Sequence, residues 1–221
     1  MTTSGRKFFS ATSIKSVWED TISELCSQLE NARGTLGILY VSEDLLPNLE
    51  NILNRLRLET NCNDWLGAAG YGVLSNVGEF YGETSATALL LDLPKGSFKI
   101  FSGDENTGSK IRETEKSWLE QAYMPLAITH ADPRQPTTPQ AIENLAQETN
   151  SYLIGGLTAA SGGSPHVSDQ SGKAVSGALV SPEMCEVLTG LSQGCSPISE
   201  IYTITKSQKN IVFEMDGRSA F

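Results

Sequence analysis

The chain has 221 residues, a formal net charge of −10, and apolar and charged shares of 39% and 19%. This composition is typical of a soluble globular protein and excludes a disordered one. The acidic balance argues against nucleic acid and anionic membrane surfaces as partners, because both are bound by clustered Lys and Arg. No apolar run is long enough to span a bilayer, so we expect no membrane segment.

The N-terminus and the cysteines indicate a cytoplasmic location. Residues 1–13 contain no long apolar segment, so they do not form a secretory signal, and residues 1–12 are predicted to be a loose leader. The four cysteines show no metal-binding spacing, and we expect reduced thiols and no metal site. They are Cys26, Cys62, Cys185 and Cys195.

Apolar spacing predicts alternating helices and strands in the first part of the chain. A helix begins after a candidate N-cap at Ser13 and ends near Gly34. The nearly all-apolar residues 36–41 predict a buried strand. A second helix with an apolar face covers residues 49–58, and a glycine-interrupted strand covers residues 65–71.

The middle and last parts continue the same alternation. Short helices are predicted within residues 113–122 and after Pro139, while residues 102–110 and 158–172 are predicted to be loops. Residues 103–110 resemble a phosphate-binding P-loop with its last two residues exchanged, so we interpret them as a solvated loop. The remaining strands are predicted at residues 86–93, 97–101, 125–130, 152–157, 174–180, 184–191, 201–205 and 211–215.

These elements predict one α/β domain over residues 13–221, with mixed sheets of about ten strands layered with about four helices. No repeat, low-complexity tract or linker is visible that would divide the chain.

Three motifs carry a resemblance to a known family. The closing segment contains Gly-Cys-Ser-Pro-Ile at residues 194–198, Thr-Ile-Thr-Lys at 203–206 and Asp-Gly-Arg at 216–218. Residues 66–72 and 153–159 supply a glycine-rich strand end and a strand followed by Gly-Gly. Together they resemble the N-terminal half of the FIST sensory domain. FIST proteins usually continue into a C-terminal half, which we expect to be absent here.

The resemblance implies a non-enzymatic sensor domain of a signal-transduction protein. FIST domains are proposed to bind small ligands such as amino acids, so we expect an amino-acid-like ligand and no bound cofactor. The implied partner is a histidine kinase or another output domain.

Glycines at strand ends are the candidate ligand site, because they let a ligand reach backbone N–H groups that hold a carboxylate. The alternative for these glycines is close backbone packing. Arg218 is a candidate carboxylate partner, although a pairing with Asp216 or a neighbouring acid that holds the domain end is slightly favoured. The predicted site residues are Gly67, Gly70, Gly72, Gly155, Gly156, Thr158, Ser161 and Arg218.

Three rival hypotheses stay open. The first is a hydrolase that uses Cys195 or Ser164 with a histidine brought close by folding, although Cys195 better fits a packed cysteine in a turn. The second is a haem sensor, in which His130 is a better axial ligand than His166. The third is a protein-interaction scaffold, which predicts an exposed apolar patch.

Overall fold

The computed structural model describes residues 8–168 and 172–220. The chain divides into two compact units, Met1–Val187 and Leu188–Phe221. Within the described ranges there are thirteen strands and five α-helices, so the α/β prediction is confirmed with counts close to those expected. None of the helices in these ranges has the length and apolarity to cross a membrane.

The first half of the first unit is a four-stranded mixed sheet with two helices. Counted along the chain, the first, sixth, second and third strands lie side by side in that order. The second and third strands are parallel, and the other neighbouring pairs are antiparallel. In chain order the elements are β1 (Phe8–Ser13), α1 (Trp18–Gln28), β2 (Leu36–Ser42), a 3-10 turn (Glu43–Asn48), α2 (Leu49–Thr60), β3 (Asp64–Gly70), the hairpin β4 (Gly72–Leu74) and β5 (Glu79–Tyr81), and β6 (Ala86–Leu91).

The second half repeats this topology. Its sheet has the order β7-β10-β8-β9, again with one parallel pair at the end, so each strand has a counterpart in the first sheet. The expectation that the chain contains no repeat is therefore wrong at the level of the fold. The elements are β7 (Phe98–Gly103), α3 (Thr107–Thr114), α4 (Lys116–Ala122), β8 (Leu126–Ala131), α5 (Thr138–Thr149), β9 (Tyr152–Leu157) and β10 (Val175–Val180).

The helices before the two edge strands end in the same way. Thr60 and Thr149 each donate a side-chain hydrogen bond of 2.6 Å to the carbonyl four residues earlier. The next residues, Asn61 and Asn150, take left-handed conformations with φ of 54° and 48°. Asparagine tolerates this conformation, so both helices stop there and the chain turns into β3 or β9.

The two sheets pack face to face, with helices on their outer faces. Alternate β2 residues divide between two cores: Leu39 and Val41 pack with α1 and α2, while Leu36 and Ile38 pack between the sheets. On the second sheet, Ile128 joins the core between the sheets. This period of two follows from the strand pleat and gives four layers, helix, sheet, sheet, helix.

The second unit is a small antiparallel sheet of strands β11 (Ile204–Gln208), β12 (Ile211–Met215) and β13 (Arg218–Ser219). The return strand at 211–215 is confirmed, whereas the first strand begins three residues later than predicted. Asp216 and Gly217 form the tight turn before β13, with φ of 49° and 72°. The Asp216 carboxylate accepts a hydrogen bond from the Thr203 N–H, so it ties the turn to the start of the sheet.

Several predicted elements are wrong. Residues 8–12 are not a leader, because they form most of β1, while residues 1–7 lie outside the described residues. Ser13 does not cap α1; it ends β1 and donates to Glu24. Part of the predicted loop 102–110 is the start of α3, and residues 184–191 form no strand. For residues 8–12, local residue preference gave way to pairing with the distant strand β6.

Candidate functional site

Two polar side chains meet where the facing sheets open toward their strand ends. Tyr40 is the fifth residue of β2 and His130 the fifth residue of β8, so the two occupy equivalent positions in the two halves. The Tyr40 hydroxyl lies 2.9 Å from Nε2 of His130, and the rings are edge to face with centroids 5.5 Å apart. This contact joins the two sheets at the carboxyl ends of their parallel strands.

Both members of this pair are uncharged at neutral pH. His130 is only 6% exposed. Burial and, to a lesser degree, repulsion between the protonated forms of His130 and His166 lower the pKa of His130 to about 4. Burial also raises the pKa of Tyr40 above its usual value. Among the described residues, Nδ1 of His130 has no hydrogen-bond partner. A neutral imidazole therefore retains hydrogen-bonding capacity that the protein does not use.

A cleft of about 550 Å³ opens beside the pair, a volume within the range of small-molecule sites. Both halves contribute to it: one wall comes from β3 and the chain that follows it, the other from β9 and the chain that follows it. None of the described residues that line the cleft is an Asp, Glu, Lys or Arg. They are Tyr40, Ala68, Ala69, Gly70, Tyr71, Gly72, Val73, Leu74, His130, Gly155, Gly156, Leu157, Thr158 and Ala159.

The structure brings five of the eight predicted site residues to this cleft: Gly70, Gly72, Gly155, Gly156 and Thr158. They differ in whether their polar groups are available to bind a ligand. A Cβ at Gly156 would meet no atom within 4 Å, so its backbone is open to a ligand. The Thr158 hydroxyl already donates to the Ala131 carbonyl at 3.2 Å.

Gly67 does not line the cleft. Its φ is +139°, and a Cβ there would lie 1.8 Å from the carbonyl oxygen of Leu39 on the neighbouring strand. Gly67 is therefore needed for close packing of β2 against β3, which is the alternative that the sequence left open.

Ser161 lies in a segment held between the two halves. Its N–H and hydroxyl each donate to the Glu43 carboxylate at 2.8 Å, and its carbonyl accepts from Arg134 at 3.0 Å. These hydrogen bonds, the backbone one first, lower the pKa of Glu43. Ser161 lines a neighbouring cavity of about 480 Å³ together with Ser164, outside the 550 Å³ cleft.

Asp132 holds the Arg134 side chain in place, and Arg134 in turn holds the segment that contains Ser161 and Gly163. The guanidinium donates to both Asp132 carboxylate oxygens at 2.9 Å, and Asp132 is 1% exposed. Burial by itself raises the pKa of Asp132, but the hydrogen bonds from Arg134 outweigh it, and the net pKa lies below the usual value. Arg134 also donates to the Gly163 carbonyl at 2.8 Å. The bidentate pair thus anchors the segment that follows β9.

Two residues of interest belong to the second unit. Arg218 is exposed at the start of β13, and its role in ligand binding stays a prediction. Cys195 is exposed, so the expectation of a packed cysteine is wrong. In the described ranges, no group of three or more His, Cys, Asp or Glu side chains is arranged to hold a metal ion.

Sequence reasoning did not select Tyr40, and it named His130 as a candidate haem ligand while leaving open a hydrolase that uses an unspecified histidine. A signal was present: each is a polar aromatic residue late in an otherwise mostly apolar strand, where a core residue is expected. What the sequence does not show is that the two strands face each other.

Comparisons with known proteins agree with the resemblance noted in the sequence. A search of curated proteins finds no match to the chain. A family model described as FIST N domain matches residues 35–218, which include both sheets from β2 onward and nearly all of the second unit. Because this match covers most of the chain, the protein belongs to the FIST N domain family, a family of sensory domains.

Proposed function

We propose that this chain is a cytoplasmic sensor domain that binds a small, amino-acid-like molecule in the cleft beside Tyr40 and His130. The observation that carries the proposal is the convergence of both halves on one cleft around an uncharged polar pair, the buried His130 and the partly exposed Tyr40. Binding sites commonly combine apolar walls with a few precisely placed polar groups. A ligand shifts a conformational equilibrium when it binds the two states with different affinity, and a ligand in this cleft would contact residues of both sheets.

The polar contacts for such a ligand come mainly from backbone and neutral side chains. Gly70, Gly72 and Gly156 expose backbone along the cleft, and backbone N–H groups bind carboxylates without a charged side chain. The proposed output is a signalling partner such as a histidine kinase or another output domain. The cytoplasmic location rests on the four free cysteines, which a reducing compartment maintains.

A thermal-shift panel of the twenty L-amino acids, followed by calorimetric titration of the hits, tests the proposal. A ligand at a hundredfold its Kd adds about 2.7 kcal/mol of stability. Gly156 lines the cleft and a Cβ there meets no atom within 4 Å, so we expect Gly156→Val to fold and to abolish binding by occupying the cleft. The matched control is Gly162→Val, which also meets no atom within 4 Å and lines the other cavity. If no amino acid binds, or if Gly156→Val binds like wild type, the proposal fails.

The haem alternative fits the described residues less well. His130 does line the cleft, but its Nε2 is engaged with Tyr40, and coordination through that atom requires the bond to break. We therefore expect purified protein titrated with hemin to develop no specific Soret band. A Soret band that disappears in His130→Ala would reverse this ranking.

The scaffold alternative has one observation in its favour. The edge strand β9 exposes Tyr152, Ile154 and Leu157, although an apolar strand is normally covered. Sedimentation of the purified chain across a concentration series tests whether this strand associates with a second copy. A monomer at all concentrations removes self-association from consideration.

A further inference from the structure

We propose that the open edge of β9, together with an apolar pocket beside it, binds an extended peptide segment of a partner protein as an added antiparallel strand. The segment carries a β-branched apolar residue that enters the pocket, and it has Lys or Arg on either side. This site is distinct from the 550 Å³ cleft, although Gly155, Gly156 and Leu157 line both. The inference goes beyond the proposed function and does not depend on which ligand the cleft binds.

The first sheet shows how this fold covers an edge of the same kind. Residues 165–167, which we call the covering segment, run antiparallel along the outer side of β3. The Ala69 N–H donates to the Pro165 carbonyl at 2.8 Å. Two residues further along the covering segment, the Val167 N–H donates to the Gly67 carbonyl at 3.1 Å. With this edge occupied, five of the seven β3 residues are buried.

In the second sheet, the corresponding edge of β9 is open. Gly155 and Leu157 hold the same register positions against β8 that the two bonded β3 residues hold against β2. The N–H groups of Tyr152 and Thr158 donate toward the β8 side, at 2.9 and 2.8 Å. Because successive residues direct their backbone groups to opposite edges of a strand, the Gly155 carbonyl and the Leu157 N–H face away from β8. Within the described residues, no backbone hydrogen bond reaches them.

The pocket beside this edge has a volume of about 210 Å³. That is less than the roughly 300–1,000 Å³ of a small-molecule site and suits a single side chain better. Four residues from β8, α5 and β9 contribute to its lining: Thr129, Ala131, Ile142 and Leu153. The equivalent four residues of the first half belong to one buried core together with Val167: Leu39, Val41, Leu53 and Trp65.

The covering segment explains why the equivalent place is filled in the first half. The strand residues correspond by register, and Ile142 and Leu53 each lie seven residues before the threonine that ends their helix. In the first half, Val167 belongs to the covering segment and is 1% exposed in the core. In the second half, no described residue pairs with the open edge, and Leu157 is 64% exposed where its counterpart Ala69 is 2% exposed. An extended segment with a valine-like residue therefore fits the pocket.

The sequence of β9 lacks the features that usually protect an open edge. Such strands carry Lys, Pro or a bulge that prevents pairing with another chain, whereas β9 reads Tyr-Leu-Ile-Gly-Gly-Leu. Peptide recognition by strand addition uses open main-chain groups for affinity and pockets for alternate side chains for specificity. Since β9 offers both, its edge is suited to a partner segment.

Charge favours a basic partner segment over a second copy of this chain. Helix α5, which contributes Ile142 to the pocket, has two charged residues, Glu143 and Glu148. Glu148 pairs with Arg112, whereas Glu143 is exposed and forms no ion pair with a described residue. Two copies would each bring a net charge of −10 to the interface, while Lys or Arg in a partner segment would be attracted.

Fluorescence anisotropy with a labelled peptide tests the inference on the full chain, with no amino acid present. The parent peptide is Lys-Ser-Pro-His-Val-Ser-Lys, which places the sequence of residues 164–168 between two lysines. We expect saturable binding below about 1 mM. Methylation of the valine nitrogen removes the donor to Gly155 and should weaken binding about tenfold or more. The control is methylation of the histidine nitrogen, which points away from β9 and should leave binding unchanged.

Two further peptides test the pocket and the charges. Asparagine in place of the valine puts a polar group into the apolar pocket and should weaken binding about tenfold or more. Glutamates in place of the lysines should weaken binding at about 50 mM salt, and the difference should shrink at about 500 mM salt.

A protein variant tests where the peptide binds. Leu157→Pro removes the outward N–H at an edge position that tolerates proline, and it should bind the parent peptide about tenfold or more weakly than wild type. The control Leu188→Pro makes the same replacement in an exposed segment outside any helix or strand, and it should bind like wild type.

Amide hydrogen exchange of the wild-type chain makes the test independent of variants. The Leu157 N–H should gain protection when the parent peptide is added, whereas the Gly156 N–H, which faces β8, should not change. Protection of Leu157 in the dilute free chain would show that the chain covers this edge itself. Protection that rises with protein concentration alone would assign the edge to a second copy.

Either of these two results would overturn the inference. It would equally be overturned by a lack of saturable binding, by equal affinity of the parent and N-methylvaline peptides, or by wild-type binding in folded Leu157→Pro. The amino-acid panel is decided separately, because neither experiment contains the ligand of the other.

Discussion

Gly67 and Gly155 occupy equivalent positions in the two halves, each facing a carbonyl oxygen of the adjacent parallel strand. Their φ angles are +139° and +140°, and a Cβ would lie 1.8 Å from the Leu39 oxygen or 1.9 Å from the Thr129 oxygen. In both sheets the residue that follows this oxygen along the chain is the polar member of the pair, Tyr40 or His130. The glycines therefore determine how closely the edge strands approach the residues that bear the site.

The first prediction uses two neighbouring glycines with opposite surroundings. Gly155→Ala should destabilise the protein by about 3 kcal/mol or more, because it combines an unfavourable φ with a collision against backbone. Gly156→Ala should change stability by less than about 0.5 kcal/mol, since its Cβ meets nothing. Urea denaturation followed by circular dichroism measures both. Equal effects of the two substitutions would contradict the packing role of Gly155.

The second prediction concerns the Arg134 anchor. Arg134→Ala leaves the buried Asp132 carboxylate without its bidentate partner, which should cost about 2–3 kcal/mol. It should also increase amide hydrogen exchange in residues 158–164, which Arg134 holds through two carbonyls. The control is Arg112→Ala, which breaks an exposed pair with Glu148 and should cost less than about 1 kcal/mol. Unchanged exchange in the segment would show that Arg134 does not restrain it.

The third prediction is a loss of stability on mild acidification. The pKa of His130 is lowered to about 4 in the folded protein, against an ordinary value of 6.5, so the unfolded chain binds the proton more readily. The stability that comes from keeping His130 neutral is fully present above about pH 6.5 and is lost as the pH falls toward 4. The loss of stability reaches about 2 kcal/mol at pH 5. Asp132, whose pKa is lowered, stabilises the fold at neutral pH, and that stabilisation is lost only when the pH falls below the ordinary pKa of a carboxyl group.

Urea unfolding at pH 7.5 and pH 5.0, in wild type and His130→Gln, isolates this contribution. The variant is expected to be less stable at pH 7.5 but to lose about 2 kcal/mol less between the two pH values. The same loss in both proteins would assign the pH dependence to other groups.

The fourth prediction orders the reactivity of the cysteines. Burial raises the pKa of Cys62 to about 11, and its side chain is 1% exposed. Burial also raises the pKa of Cys26. Cys195, in contrast, is exposed. Since the thiolate is the reactive form, iodoacetamide at pH 7.5 should modify Cys195 first and Cys62 last. Timed labelling with peptide mass spectrometry measures the order, and labelling in denaturant should abolish it.

The internal duplication had a sequence signature that composition and motif reasoning missed. Glu-Thr-Asn occurs at residues 59–61 and again at 148–150, and each copy closes a helix just before a strand that contains a packing glycine. The helices and strands around the two copies differ in length and residue type. The repeat therefore becomes apparent only when the strands of the two sheets are aligned with each other. Once the strand orders are known, the correspondence of Gly67 with Gly155 is immediate.

Local sequence determined most of the helices and strands and several positions where the backbone needs glycine or asparagine. The strand at residues 152–157 and the helix after Pro139 follow from periodicity and turn chemistry, because these depend on neighbours a few residues apart. Only the tertiary structure decided that Tyr40 meets His130, 90 residues away, and that His130 is buried there and uncharged. That outcome depends on the register of each sheet and on which faces pack together, and neither is encoded within any single segment.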